Sequence, residues 1–392
     1  MSWGLFLGLL VWQLMAADSV GLLASGRHVP RRHSADDVQY MVVNEPSAQL
    51  LPAVHVGHSS YPPIHTTSQP TVTHLCYGER IKVLRDESQI GRFFVEVPGQ
   101  LHGRWNSVMG VEGYGFLQGY IPSTTDLLLA PARPAEASFG IVVRKQATVY
   151  VPHEKLEVLL PLGSIVQLTG SIEKNKQPIV WNNREIAQID ADSILRCYQL
   201  PDEEASSRRM FIQLLQELYD AAYMPGGRSA IDGCDEGGLL HLAMHALGFS
   251  VPRSAHEQIE LSVAISPHEL LPGDLIYFAS NDPRLPSRLM VFQDGDVVVE
   301  ARRDSGVSEY MFESRFGVQL ASITHGQIFN CSGKNCRCNG KINHQYQVYC
   351  GRLLEPERLK WARGKFLEAI NQPIPAQPKE SSEPKDDEWD LL

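Results

Sequence analysis

No cluster of lysines and arginines interrupts this chain, and its formal net charge is −10. A nucleic-acid partner is therefore not expected, because phosphate binding requires a concentrated basic surface. Nor does the N-terminus offer a good membrane anchor. The apolar run from Gly4 to Met15 is short of a spanning helix, and Gln13 and Asp18 would interrupt any extension to Leu23. No Lys or Arg precedes the run, yet its length suits an export leader, with Ala16 and Ala17 as a cleavage site. An uncleaved leader is the alternative, and the only expected membrane contact. Cysteine is sparse: there are seven, none in a C-x2-C knuckle. In an exported chain the grouped Cys331, Cys336, Cys338 and Cys350 are disulfide candidates. His325 and His344 beside them keep a zinc reading open, although the spacing disfavours it.

What is present is strand pattern first and helix pattern later. Between 38 and 131, "THLCYGERIKVL", "RFFVEV" and "GFLQGYIP" are short β runs bounded by turn residues. A Pro/Ala linker, "ARPAEA", leads to a second such set over 138–200. Two successive small β units without helices suggest barrels. From 203 the period changes: Met210, Phe211, Leu214, Leu215, Leu218 and Ala222 form a helical stripe. A second helix is predicted from Glu236 to Leu247, closed by Gly248. Strands follow at "DLIYFA", "SRLMVFQ" and "DVVVEAR". The expected layout is a leader over 1–17, a linker over 18–37, the two β units, and an α+β domain over 203–354 with a Cys-rich insertion at 324–345. A helix over 355–371 and a disordered acidic tail over 372–392 complete it.

"YMPGG" (223–227), "DGCDEGGLLHLAMHALGFSVPRSAHEQ" (232–258) and "LLPGDLIYF" (270–278) together resemble the NlpC-type cell-wall cysteine peptidases. The resemblance implies a papain-like α+β domain preceded by two SH3-like barrels. It also implies a peptide stem of peptidoglycan as substrate, and no cofactor or metal. Family chemistry places a cysteine at a helix N-terminus, where the dipole and a histidine hold it as thiolate. The family's Asp-Cys-Ser-Gly reads Asp235-Glu236-Gly237-Gly238 here, and counting to Pro252-Arg253 fits without a gap. Arg288 stands at the histidine position and Glu300 at the third polar position.

These replacements remove the chemistry. A guanidinium stays protonated and cannot act as a general base, and a carboxylate is a poor nucleophile toward an amide. The trio instead suggests an ion network in which Arg288 bridges Glu236 and Glu300. Cys234 is the fallback nucleophile, though it lies two residues before the helix start and no histidine occupies a partner position. His241 and His245 have zincin-like spacing, but Leu242 replaces the glutamate and both are expected on a solvent-side stripe. Tyr223 and Asp235 match positions that line the family's cleft and are the ligand-binding candidates. The chain is thus expected to be an exported, catalytically degenerate homologue that binds a stem peptide or an envelope protein. The alternatives are an active γ-D-glutamyl-diamino-acid endopeptidase using Cys234, and a structural or interaction protein of the cell envelope.

Overall fold

A computed structural model describes residues 39–52, 71–102, 115–130, 138–182, 184–201, 203–280, 288–324, 326–330 and 345–370. The expected leader, linker, acidic tail and most of the Cys-rich insertion, with Cys331, Cys336 and Cys338, lie outside them. Among the described residues no helix is long and apolar enough to cross a membrane.

The first β set forms a five-stranded antiparallel sheet in the order Gly115–Pro122, Arg92–His102, Arg80–Glu87, Gln39–Val43, Leu127–Leu129. A ribbon of Ser47–Leu50 and Thr73–Cys76 lies beside it. Alternation puts one side-chain set inward, so Met41, Val43, Leu75, Ile81, Val95 and Ile121 make a core. The second set pairs seven strands, from Leu156–Pro161 at one end to Ile194–Arg196 at the other, around Val149, Leu160, Ile179 and Ile189. Both pairing paths end in open edges, so closed barrels are not formed by the ladder itself.

From residue 204 the architecture is α+β. Helix α1 (Glu204–Glu217) buries Phe211, Leu214 and Leu215. It ends before Ala222, which leaves the predicted stripe and is exposed. Helix α2 (Glu236–Ala246) is buried at every position from Gly237 to Ala246. A helix enclosed all round has no solvent stripe, so His241 and His245 are interior, contrary to the sequence expectation. Helix α3 (Ala255–Leu261) follows, capped by Ser254. The sheet behind these helices runs Val263–Ile265, Gln345–Arg352, Leu275–Ser280, Arg288–Asp294, Val297–Arg302, Gly306–Met311, with Ile328–Asn330 against Gln345–Arg352. A five-residue helix α4 (Phe312–Phe316) follows the last hairpin, and α5 (Pro356–Ala369) closes the described chain.

Two glycines explain how α2 enters so tight a space. A Cβ on Gly238 would sit 1.9 Å from the Gly227 carbonyl oxygen, and one on Gly237 would sit 2.7 Å from the Ala255 nitrogen. The entropic cost of glycine in a helix is offset here by close backbone packing.

Candidate functional site

The site is built where the Tyr223–Gly227 turn meets the start of α2. Asp235 is the N-cap: Oδ1 accepts from the Gly238 amide at 2.7 Å and Oδ2 from the Gly226 amide at 2.8 Å. Arg253, itself buried, approaches Oδ1 to 3.0 Å and also donates to the Gly227 carbonyl at 2.9 Å. The Asp235 carboxylate is thus committed to holding the turn on the helix. Glu236 follows as the first helical residue, half-buried, and accepts a long hydrogen bond of 3.4 Å from the Tyr223 hydroxyl. Burial, followed by the charges of Asp235 and Glu300, pushes the Glu236 carboxyl up to about 7, against the pull of its own amide and of Tyr223. The Arg303 guanidinium lies 5.7 Å from the Tyr223 ring centre, adding an exposed cation at this edge.

Glu300, 2 % exposed on Val297–Arg302, is the third carboxylate. The Tyr310 hydroxyl donates to it at 2.7 Å, and the Arg315 guanidinium of α4 closes on the same oxygen. The guanidinium seen on Glu300 belongs to Arg315, a partner that the sequence reading did not name. Arg288 opens its strand opposite Phe278. The physical reason is that α4 folds back beneath the hairpin, an approach that strand spacing alone does not reveal. Tyr310 was legible in principle. Glu300 pairs with Ser308 and Val298 with Tyr310, so Tyr310 is the diagonal same-face neighbour of Glu300. Met290 is buried, its Sδ 3.2 Å from the same hydroxyl oxygen.

Cys234 is fully buried in the short strand Gly233–Cys234, its thiol directed at the Ser229 carbonyl at 3.4 Å. Burial pushes that thiol up to about 12, so thiolate is scarce near neutral pH. Cys350 is a free, buried thiol on Gln345–Arg352; its three candidate partners lie outside the described residues. His256 is exposed and lies 3.2 Å from Glu260. The site therefore presents the carboxylates of Asp235, Glu236 and Glu300, one tyrosine at the rim and flanking arginines. Such a set can bind polar groups and exchange a proton at Glu236.

A helix N-terminus packed on an antiparallel sheet, with a capped acidic turn before it, is the arrangement of the papain-like hydrolase fold. Residues 220–324 match the NlpC/P60 family, and this chain carries an NlpC/P60 domain there. A γ-DL-glutamyl hydrolase of Bacillus subtilis (strain 168) is 25 % identical over 163 residues, which cover 41 % of this chain and 38 % of that enzyme. This chain thus matches well under half of that relative's length. The crystal structure of an NlpC/P60 family protein from Bacillus cereus ATCC 10987 superposes with a TM-score of 0.55 at 18 % identity, covering 69 % of this chain and 94 % of that one. The latter likeness is one of fold.

Proposed function

We propose that this chain is an exported, catalytically inactive NlpC/P60 homologue that holds a peptidoglycan stem peptide, or a protein of the cell envelope, without cleaving it. In this reading the two sheet-rich units are SH3-like modules and residues 1–17 are an export leader. One observation carries it: the first residue of α2 is Glu236, where the family resemblance calls for a nucleophilic thiol. Arg288 and Glu300 at the other two catalytic positions agree with it, and Tyr223 supplies the cleft's binding edge on the turn that Asp235 seats. The buried, carbonyl-bonded thiol of Cys234 argues against a displaced nucleophile.

The test is incubation of the purified protein, beside a Cys234→Ser variant, with a peptide of the L-Ala-γ-D-Glu-diaminopimelate type. Binding without turnover in both proteins is the expected result. Turnover lost on Cys234→Ser overturns the reading, and absence of binding favours a purely structural role.

A further inference from the structure

Away from the cleft, one cation is enclosed where the first sheet-rich unit meets α2. Arg228 has no exposed surface, and it joins Glu79 and His74 of the first β unit to His241 of α2. Its Nη1 donates to Glu79 at 2.9 Å and to the His74 carbonyl at 3.0 Å. Its backbone amide donates to Nδ1 of His74 at 3.1 Å, and its Nε donates to Nδ1 of His241 at 2.8 Å. Glu79, 2 % exposed, is held in turn by the Cys76 amide and by Gln100.

The donor direction fixes the imidazoles. An arginine N–H cannot accept, so the ring nitrogen facing it must carry a lone pair. His74 and His241 are therefore neutral, each with its proton on Nε2. If either ring gained a proton, N–H would face N–H and a hydrogen bond would become a repulsion. The surroundings sharpen this. Around His74 stand Arg228, Arg253, Asp232 (4.0 Å from Nε2) and Asp235. Around His241 stand Arg228, Arg253 and His245, whose Nε2 meets the Gly163 carbonyl at 3.1 Å. Burial, then in the case of His241 the Arg228 charge, disfavours the charged rings, so both stay neutral until the pH is well below the usual imidazole range. The Nε2 atoms of both rings and Nη2 of Arg228 have no hydrogen-bond partner in the protein.

We propose that this junction is an acid-released latch: Arg228 fastens the Thr73–Cys76 ribbon to the NlpC/P60 domain only while His74 and His241 are neutral acceptors, and their protonation lets the two faces part. Opening would also loosen the cleft. The Gly226–Gly227 turn that seats Asp235 lies directly against Thr71, whose carbonyl oxygen would be 1.7 Å from a Cβ on Gly226.

The experiment is hydrogen exchange on the full chain from pH 7 to pH 4, with labelling times scaled for intrinsic rates. Peptides spanning 71–80 and 226–246 should lose protection together as the pH falls, while 275–301 in the central sheet stays protected. In the double variant His74→Gln/His241→Gln, neutral carbonyl oxygens replace the ring acceptors, and the opening should move down by about one pH unit or more. Opening at the wild-type pH in that variant would overturn the proposal and point to Glu79 as the titrating group. Should the variant not fold, ring-nitrogen NMR of the wild type decides. Nε2–H tautomers that persist until the junction opens are expected, and a protonated His74 or His241 in the closed state overturns the latch.

Discussion

Tyr310 donates to Glu300 across 2.7 Å inside the hairpin's own footprint, and Arg315 reaches the same carboxylate oxygen from the helix beyond. Glu300 is thus locked into a buried ion pair. Breaking such a pair from one side leaves an uncompensated charge. Arg315→Met should cost about 3–5 kcal/mol, and the double variant Glu300→Gln/Arg315→Met should recover most of the loss. Urea unfolding of wild type, both single variants and the double variant checks this; an additive double variant would contradict it.

Glu236 gives a pH signature. Its folded-state carboxyl lies at about 7 against an unfolded value near 4.5, so the native state holds the proton more tightly. The sign follows: this group's contribution is fully present below pH 4.5 and is lost as the pH rises through 7. Glu236→Gln should therefore gain on wild type by roughly 1–3 kcal/mol at pH 8 relative to pH 5. Chemical denaturation at the two pH values measures the difference, and an unchanged difference would remove the buried-acid assignment.

Cys234 should behave as an inert thiol. Iodoacetamide at pH 8 should leave it unmodified in the folded protein and alkylate it fully in urea, as read by peptide mass mapping. Rapid alkylation in the native state would reinstate it as a nucleophile.

The glycines of α2 and α5 should respond in opposite directions. Gly238→Ala drives a methyl group into the Gly227 carbonyl, 1.9 Å from the new Cβ, and should cost about 3 kcal/mol or more. Gly364→Ala in α5 meets nothing within 4 Å and should stabilise by about 0.5–1 kcal/mol. Thermal unfolding of both variants tests the contrast.

Much of the fold was legible. The three strands "DLIYFA", "SRLMVFQ" and "DVVVEAR" fall within a residue or two of Leu275–Ser280, Arg288–Asp294 and Val297–Arg302. The start of α2 at Glu236 and its close at Gly248, with φ of +75°, also agree. The full burial of α2 was not legible, because polar residues such as His241 and His245 read as a surface stripe until a partner domain covers them. Arg228 was likewise missed: an arginine in a glycine-rich turn carries no local sign that Glu79, 149 residues earlier, will neutralise it.

Short-range chemistry in the chain alone decided the helix starts, the strand alternation and the placing of an acid where the family resemblance expects a thiol, since caps, periodicity and spacing act over a few residues. Packing alone decided that Arg315 meets Glu300, that Cys234 is sealed against a carbonyl, and that Arg228 sits between two imidazoles. Those partners are chosen by desolvation: a charge or thiol removed from water must pair with whatever the fold brings within reach, and the chain's order does not say what that will be.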